Sequence, residues 1–193
     1  MVERSTEKAL EKRRLLIIDT ARELFLTHGF HEVKIDTIAA ISGVSKKTIY
    51  RLYNNLETLT AHGIKRDFDC WWEWFFDATL ENKQESDISL EFFYNVLEHW
   101  IKGAGFKGLL FARALFNTEA LGEEVAVLVK ECTKKLRQFI YAEARKAGVK
   151  KPGRFSHVQV GLLLLMLGQP GSNKNQNCAP NVNDLRRIYT LWQ

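Results

Sequence analysis

The chain is predicted to be all-α. It divides into a small N-terminal helix-turn-helix domain over residues 1–54 and a larger helical bundle over residues 55–193. Three observations lead there. Apolar residues recur at helical spacing along most of the 193 residues, with only three prolines to interrupt them. Strand-like alternation bounded by turn residues is hard to find. The cationic excess also sits at one end: residues 1–66 hold 12 Lys+Arg against 8 Asp+Glu, whereas residues 67–193 hold 16 against 15. A basic module on a nearly neutral body points to a polyanionic partner for that module. At 46% hydrophobic and 26% charged, the composition is that of an ordinary globular protein.

The first helix is expected from about Thr6 to His28, with Ile17, Ala21, Leu24, Phe25 and His28 on one inward face and Gly29 as its stop. A short second helix covers Ile35 to Ile41, with Ile35, Ile38 and Ala39 inward. In "SGVS", Gly43 supplies the positive φ that a tight turn between helices needs, Val44 plugs the space between them, and Ser45 caps the next helix. That third helix runs from Lys46 to Tyr53. Only Ile49 and Leu52 are clearly apolar in it, so a narrow stripe packs and the remainder faces out. Further helices are expected over 56–80, 88–101, 106–116, 119–147, 155–169 and 182–192, with a polar loop over 170–181.

Two short helices joined by a glycine-containing turn, at about residues 35–53, match the unit whose second helix enters the DNA major groove. Lys46 and Lys47 stand at the start of that helix, where base edges are met, and lysine donates to guanine O6 and N7. Ser45, Thr48, Tyr50 and Tyr53 carry hydroxyls suited to phosphate oxygens. The plain alternative is a solvated helix start with half-buried tyrosine rings, and a Tyr can pack its body while pointing its hydroxyl at phosphate.

Residues 17–59, "IIDTARELFLTHGFHEVKIDTIAAISGVSKKTIYRLYNNLETL", resemble the DNA-binding domain of the TetR family of transcriptional regulators. The matching features are the helix ending "ARELFLTHGF", the "TIAAISGVS" helix and turn, and the "KKTIYRLY" recognition helix. The resemblance implies a homodimer on palindromic double-stranded DNA, usually a repressor released by a small-molecule effector. It also places Ser45, Lys46, Lys47, Thr48, Tyr50 and Tyr53 at DNA-contacting positions. Three departures stand out. Lys34 replaces the usual Ser or Thr near the start of the second helix; it cannot cap, but it reaches towards phosphate. Leu52-Tyr53 replaces the usual "HF", and Leu56 stands where the family often has lysine.

Twelve aromatics fall between residues 71 and 116. Most must build a core. Trp71, Trp74, Phe75, Phe92, Trp100 and Phe111 are the candidates for a ring-lined effector pocket that suits an apolar, aromatic or cationic ligand. At the C-terminus, Phe155, Val158, Leu162, Leu165 and Gln169 recur at 3-4-3-4 spacing, and Val182, Leu185, Tyr189 and Trp192 at 3-4-3. These are seams for partner helices, either within the chain or between two subunits. The family resemblance favours an intersubunit four-helix bundle.

Other chemistries find little support. "GAGFKG" at Gly103–Gly108 matches GxGxxG, but that fingerprint works only after a strand, and the preceding segment reads as helix. No cofactor is therefore expected, and no enzyme. His28, His31, His62, His99 and His157 show no metal-ligand spacing, and Cys70, Cys132 and Cys178 form no CxxC pair. They are expected as reduced thiols, at least two of them buried. No stretch reaches the roughly 18 consecutive apolar residues of a spanning helix. The N-terminus carries charges of both signs and lacks an apolar leader core, so a cytoplasmic location without membrane contact is expected. Two rival readings are a helical ligand-binding or structural protein without DNA binding, and a nicotinamide-dependent enzyme built on Gly103–Gly108.

Overall fold

The computed structural model describes residues 2–81, 89–103, 106–168 and 180–193, and no strand occurs among them. Ile88, Gly105, Gln169, Cys178 and most of the polar segment predicted over 170–181 lie outside the described residues. The N-terminal domain consists of α1 (Val2–His28), α2 (Ile35–Ser42) and α3 (Lys46–Tyr53). The larger part comprises α4 (Leu56–Glu81), α5 (Leu90–Lys102), α6 (Leu110–Ala114), α7 (Thr118–Leu121), α8 (Glu123–Lys146), α9 (Pro152–Leu167) and α10 (Val182–Trp192).

The inward face predicted for α1 is largely as observed: Ile17, Ala21, Leu24 and Phe25 are buried. His28 is not part of it and is exposed in the last turn. The helix ends where Gly29 turns to φ +80° and returns its N–H to the Phe25 carbonyl at 2.9 Å. The long helix α4 is the shared spine. It packs against α1 of the N-terminal domain and against α6 and α8 of the larger part.

Two predicted helices differ from those observed. The one expected over 106–116 shrinks to Leu110–Ala114. The one expected over 119–147 is broken into α7 and α8 at Gly122. Gly122 takes φ +96°, and the space a Cβ would need is filled by the Glu57 carboxylate, so the chain turns there and docks on the start of α4. Thr58 Oγ1 donates to Glu124 at 2.9 Å across the same contact.

The interior of the bundle is filled by rings meeting rings. Phe68 stands edge-on to Phe111 at 4.9 Å, and Phe75 contacts Phe93 at 5.1 Å and Phe139 at 5.7 Å. At the far end, Arg186 of α10 reaches Glu91, Asn95 and Glu98 of α5 at 2.7–3.1 Å. The buried Gln159 of α9 donates to the Leu185 carbonyl at 2.8 Å. These bonds fix α10 against both neighbours.

Candidate nucleic-acid interface

Local chemistry shapes the α2–turn–α3 unit. Gly43 closes α2 in the left-handed region at φ +68°, a conformation that costs a residue with a Cβ and not glycine. Ser45 then caps α3: its Oγ accepts the Thr48 N–H at 3.3 Å and lies 3.0 Å from the Thr48 hydroxyl. Ser45→Ala is expected to cost about 1 kcal/mol of stability, measured by urea denaturation. Ile49 is fully buried, and Val44 and Leu52 pack partly buried against the core.

With Ile49 inward, the opposite side of α3 carries Lys46 and Tyr50 in one row and Lys47 and Arg51 in the next, all exposed. Lys46 pairs with Asp36 of α2 at 2.7 Å, but both side chains remain more than half exposed. Such a pair is worth little and yields readily to a phosphate. Lys34 is exposed at the N-terminus of α2 and makes no side-chain cap there. Thr48 is half-buried.

Tyr53 corrects the predicted contact set. Its ring is 3% exposed, its hydroxyl donates to the Arg14 carbonyl at 3.1 Å, and the ring meets His62 edge-on at 5.3 Å. Burial pushes its hydroxyl pKa up to about 12. It fastens α3 to α1 and α4 and is not available to a phosphate. The signal was present: Ile49, Leu52 and Tyr53 stand at i, i+3 and i+4, one packed face. Arg51 was missed, although its spacing of four from Lys47 places it on the outward face.

The predicted effector residues separate into two groups. Phe75 and Phe111 are fully buried in the ring-filled interior, Phe92 is half-buried, and none of the three lines the cavity described next. Trp71, Trp74 and Trp100 do line a cavity of about 360 Å³, but it lies at the junction of the two domains, between α1, α4 and the segment entering α6. Arg22 and Glu23 of α1, Asp67 of α4 and Lys107 complete its polar side.

Asp67 is the knot of that junction. It is 1% exposed; one carboxylate oxygen accepts Arg22 Nε at 2.8 Å and the other accepts the Leu110 N–H at 2.8 Å. Burial drives its carboxyl above the ordinary carboxylate range, and the Arg22 guanidinium opposes the shift. Arg113 of α6 adds a bond to the Leu26 carbonyl at 2.9 Å and another to the Lys107 carbonyl. The N-terminal domain is thus tied to α6 by buried and half-buried polar contacts.

Residues 17–61, which hold this whole helix-turn-helix, match the family model described as bacterial regulatory proteins, tetR family. This segment is a tetR-type DNA-binding domain. The chain is 25% identical over 158 residues to the HTH-type transcriptional activator FasR of Mycolicibacterium smegmatis, covering 80% of this chain and 69% of that protein. A tetR-type regulator from Streptomyces avermitilis superposes with a TM-score of 0.73 at 15% identity, covering 93% of this chain and 97% of the other. A transcriptional regulator from Saccharomonospora viridis in complex with choline superposes with a TM-score of 0.68 at 18% identity, covering 93% and 94%. The match assigns the helix-turn-helix segment to a family of regulatory proteins, and the solved structures share the fold of the rest of the chain. The GxGxxG reading fails in structural terms. Gly103 ends helix α5, and Gly108, at φ +80°, leads into helix α6.

The C-terminal helices correct part of the predicted seam. Phe155, Val182 and Leu185 are buried within the protomer and cannot meet a partner, and Tyr189 and Trp192 are half-buried against Phe155 at about 6 Å. Val158 (40%) and Leu165 (42%) are exposed, with Leu162 half-exposed and Gly161 open between them. On α10 the outward apolar residue is Leu191, at 82%. Of the cysteines, Cys132 is buried, with its thiol pushed up to about 12, and Cys70 is half-buried in the junction cavity. No described helix is long and apolar enough to cross a membrane.

Proposed function

We propose that the chain acts as a homodimeric repressor on a palindromic operator and leaves it when a small-molecule effector binds. The outward face of α3, with Lys46, Lys47, Tyr50 and Arg51 exposed opposite a fully buried Ile49, is the observation that carries this reading. Two such helices, about 34–36 Å apart in a dimer, address successive major grooves on one face of the duplex. Lys46, Lys47 and Arg51 meet bases and nearby phosphates, Ser45, Thr48 and Tyr50 add hydroxyl contacts, and Lys34 reaches the backbone from α2.

The DNA-binding unit, residues 1–54, ends where α4 begins, and α4 continues into the effector and dimerisation domain. The outward stripe Val158–Gly161–Leu162–Leu165 on α9 and the exposed Leu191 on α10 support pairing of these helices with a second copy. The choline held by the Saccharomonospora viridis neighbour supports a small-molecule effector on this fold. For a hundred-fold loss of DNA affinity, the effector must favour the released state by about 2.7 kcal/mol. One observation favours a second output: FasR is named an activator. A promoter fusion read with and without the protein separates repression from activation.

Lys47→Ala is expected to weaken operator binding by about 10- to 100-fold, because each dimer loses two contacts of about 1 kcal/mol or more. The melting temperature should not move. Fluorescence anisotropy with a labelled operator checks the first point and calorimetry the second. Unchanged affinity removes Lys47 from the interface.

A further inference from the structure

The junction cavity has a chemistry that DNA binding does not use. Its apolar wall is concave. Trp74 and Trp100 lie 5.9 Å apart at 38°, Trp71 and Trp100 6.3 Å apart at 42°, and Phe106 stands edge-on to Trp100 at 4.8 Å. Trp74 is 38% exposed, an uncovered face large enough for one ring to stack on. In the interior of the bundle, Phe68, Phe75, Phe93, Phe111 and Phe139 pack ring against ring.

Opposite the aromatic wall stand two close ion pairs of different character, with a longer Arg22–Glu23 contact of 3.4 Å between them. Arg22–Asp67 is fixed, since Asp67 is buried and also holds the Leu110 N–H. Glu23–Lys107, at 2.8 Å, has side chains 53% and 48% exposed. That pair opens at little cost. A ligand of one sign can replace only one of its members and meets the other as a like charge. A ligand carrying both signs replaces both and leaves neither unpaired.

We propose that this cavity is the effector site and that it takes a small aromatic zwitterion of the amino-acid type. The ring lies on Trp74 and Trp100, the ammonium meets Glu23, and the carboxylate meets Lys107. A cavity of about 360 Å³ holds a molecule of one ring with a short charged arm. Glu23 belongs to α1 and Lys107 to the segment that enters α6. A ligand set between them therefore parts a contact that joins the DNA-binding domain to the bundle. The proposal rests on the regulator reading and gives its effector a chemical class.

The test is isothermal titration of the full chain with L-phenylalanine, 2-phenylethylamine and 3-phenylpropanoate, which share a ring and differ in charge. Phenylalanine is expected to bind at least about ten-fold tighter than either single-charge analogue, the value of one charge-assisted contact. It should also lower operator affinity. Glu23→Gln, at an exposed position that does not threaten folding, should erase the advantage of phenylalanine over phenylpropanoate, weakening the first and strengthening the second by removing its like-charge neighbour. Tighter binding of the amine or the carboxylate overturns the ligand class. An advantage that survives in Glu23→Gln, or no binding of any of the three, overturns the site. Phenylalanine binding that leaves operator affinity unchanged overturns the effector role. A protein that binds its operator but none of these compounds loses this inference alone; one that binds no operator loses the regulator reading.

Discussion

Asp67→Ala is expected to lower stability by about 3 kcal/mol, because it strands a half-buried guanidinium and a buried backbone donor in one step. For a chain of this size that corresponds to a fall of about 6–12 °C in melting temperature. Asp67→Asn keeps one acceptor and should lose roughly half as much. The damage should appear first where the bonds were made, as faster hydrogen exchange at the α1–α4 contact and at the start of α6. The pH dependence has a definite sign. The folded state raises this carboxyl above its usual value, so it binds the proton more tightly than the unfolded chain does. The contribution of Asp67 to stability is then largest below the ordinary carboxylate pKa and declines as pH rises through the raised value. Urea titrations of wild type and Asp67→Asn from pH 4 upward check this; a pH profile shared by both proteins removes Asp67 as its source.

Replacing Val158 and Leu165 with aspartate in one chain is expected to abolish the dimer. Four carboxylates would enter one self-packed seam, and each costs several kcal/mol when desolvated without a partner. Both residues are exposed in the protomer, so helix content should hold. A monomer reads one half-site only, and operator affinity should fall by at least about 100-fold. Light scattering after size exclusion gives the oligomeric state, and anisotropy gives the affinity. A persistent dimer places the interface elsewhere.

The N-terminal domain was legible because its determinants are local. Gly43, Ser45 and the Ile49–Leu52 stripe each act within a few residues, and each behaves as its chemistry demands. What stayed hidden depends on distant partners. The junction cavity is built from Arg22 with Asp67 and Glu23 with Lys107, pairs 45 and 84 positions apart in the chain, and no periodicity brings them together. The break at Gly122 was concealed by helical spacing on both sides of it. The chain turns there because Gly122 takes φ +96°, a backbone conformation that favours glycine. On α9 the run "LLLLML" is apolar on every side, so spacing alone could not separate Phe155, which faces the core, from Val158 and Leu165, which face out. Tyr53 was readable and was misread, because a hydroxyl beside a DNA-contacting helix outweighed its place on the packed face.

The most direct test of sequence-specific regulation is selection of bound duplexes from a random DNA library by the purified protein at two salt concentrations. A two-fold palindrome with half-sites about one helical turn apart should be enriched. With Lys34, Lys46, Lys47 and Arg51 of each subunit at phosphates, the logarithm of affinity should fall with the logarithm of salt at a slope of about −7. Binding without an enriched sequence, or no binding at low salt, would contradict a dimeric operator-binding regulator.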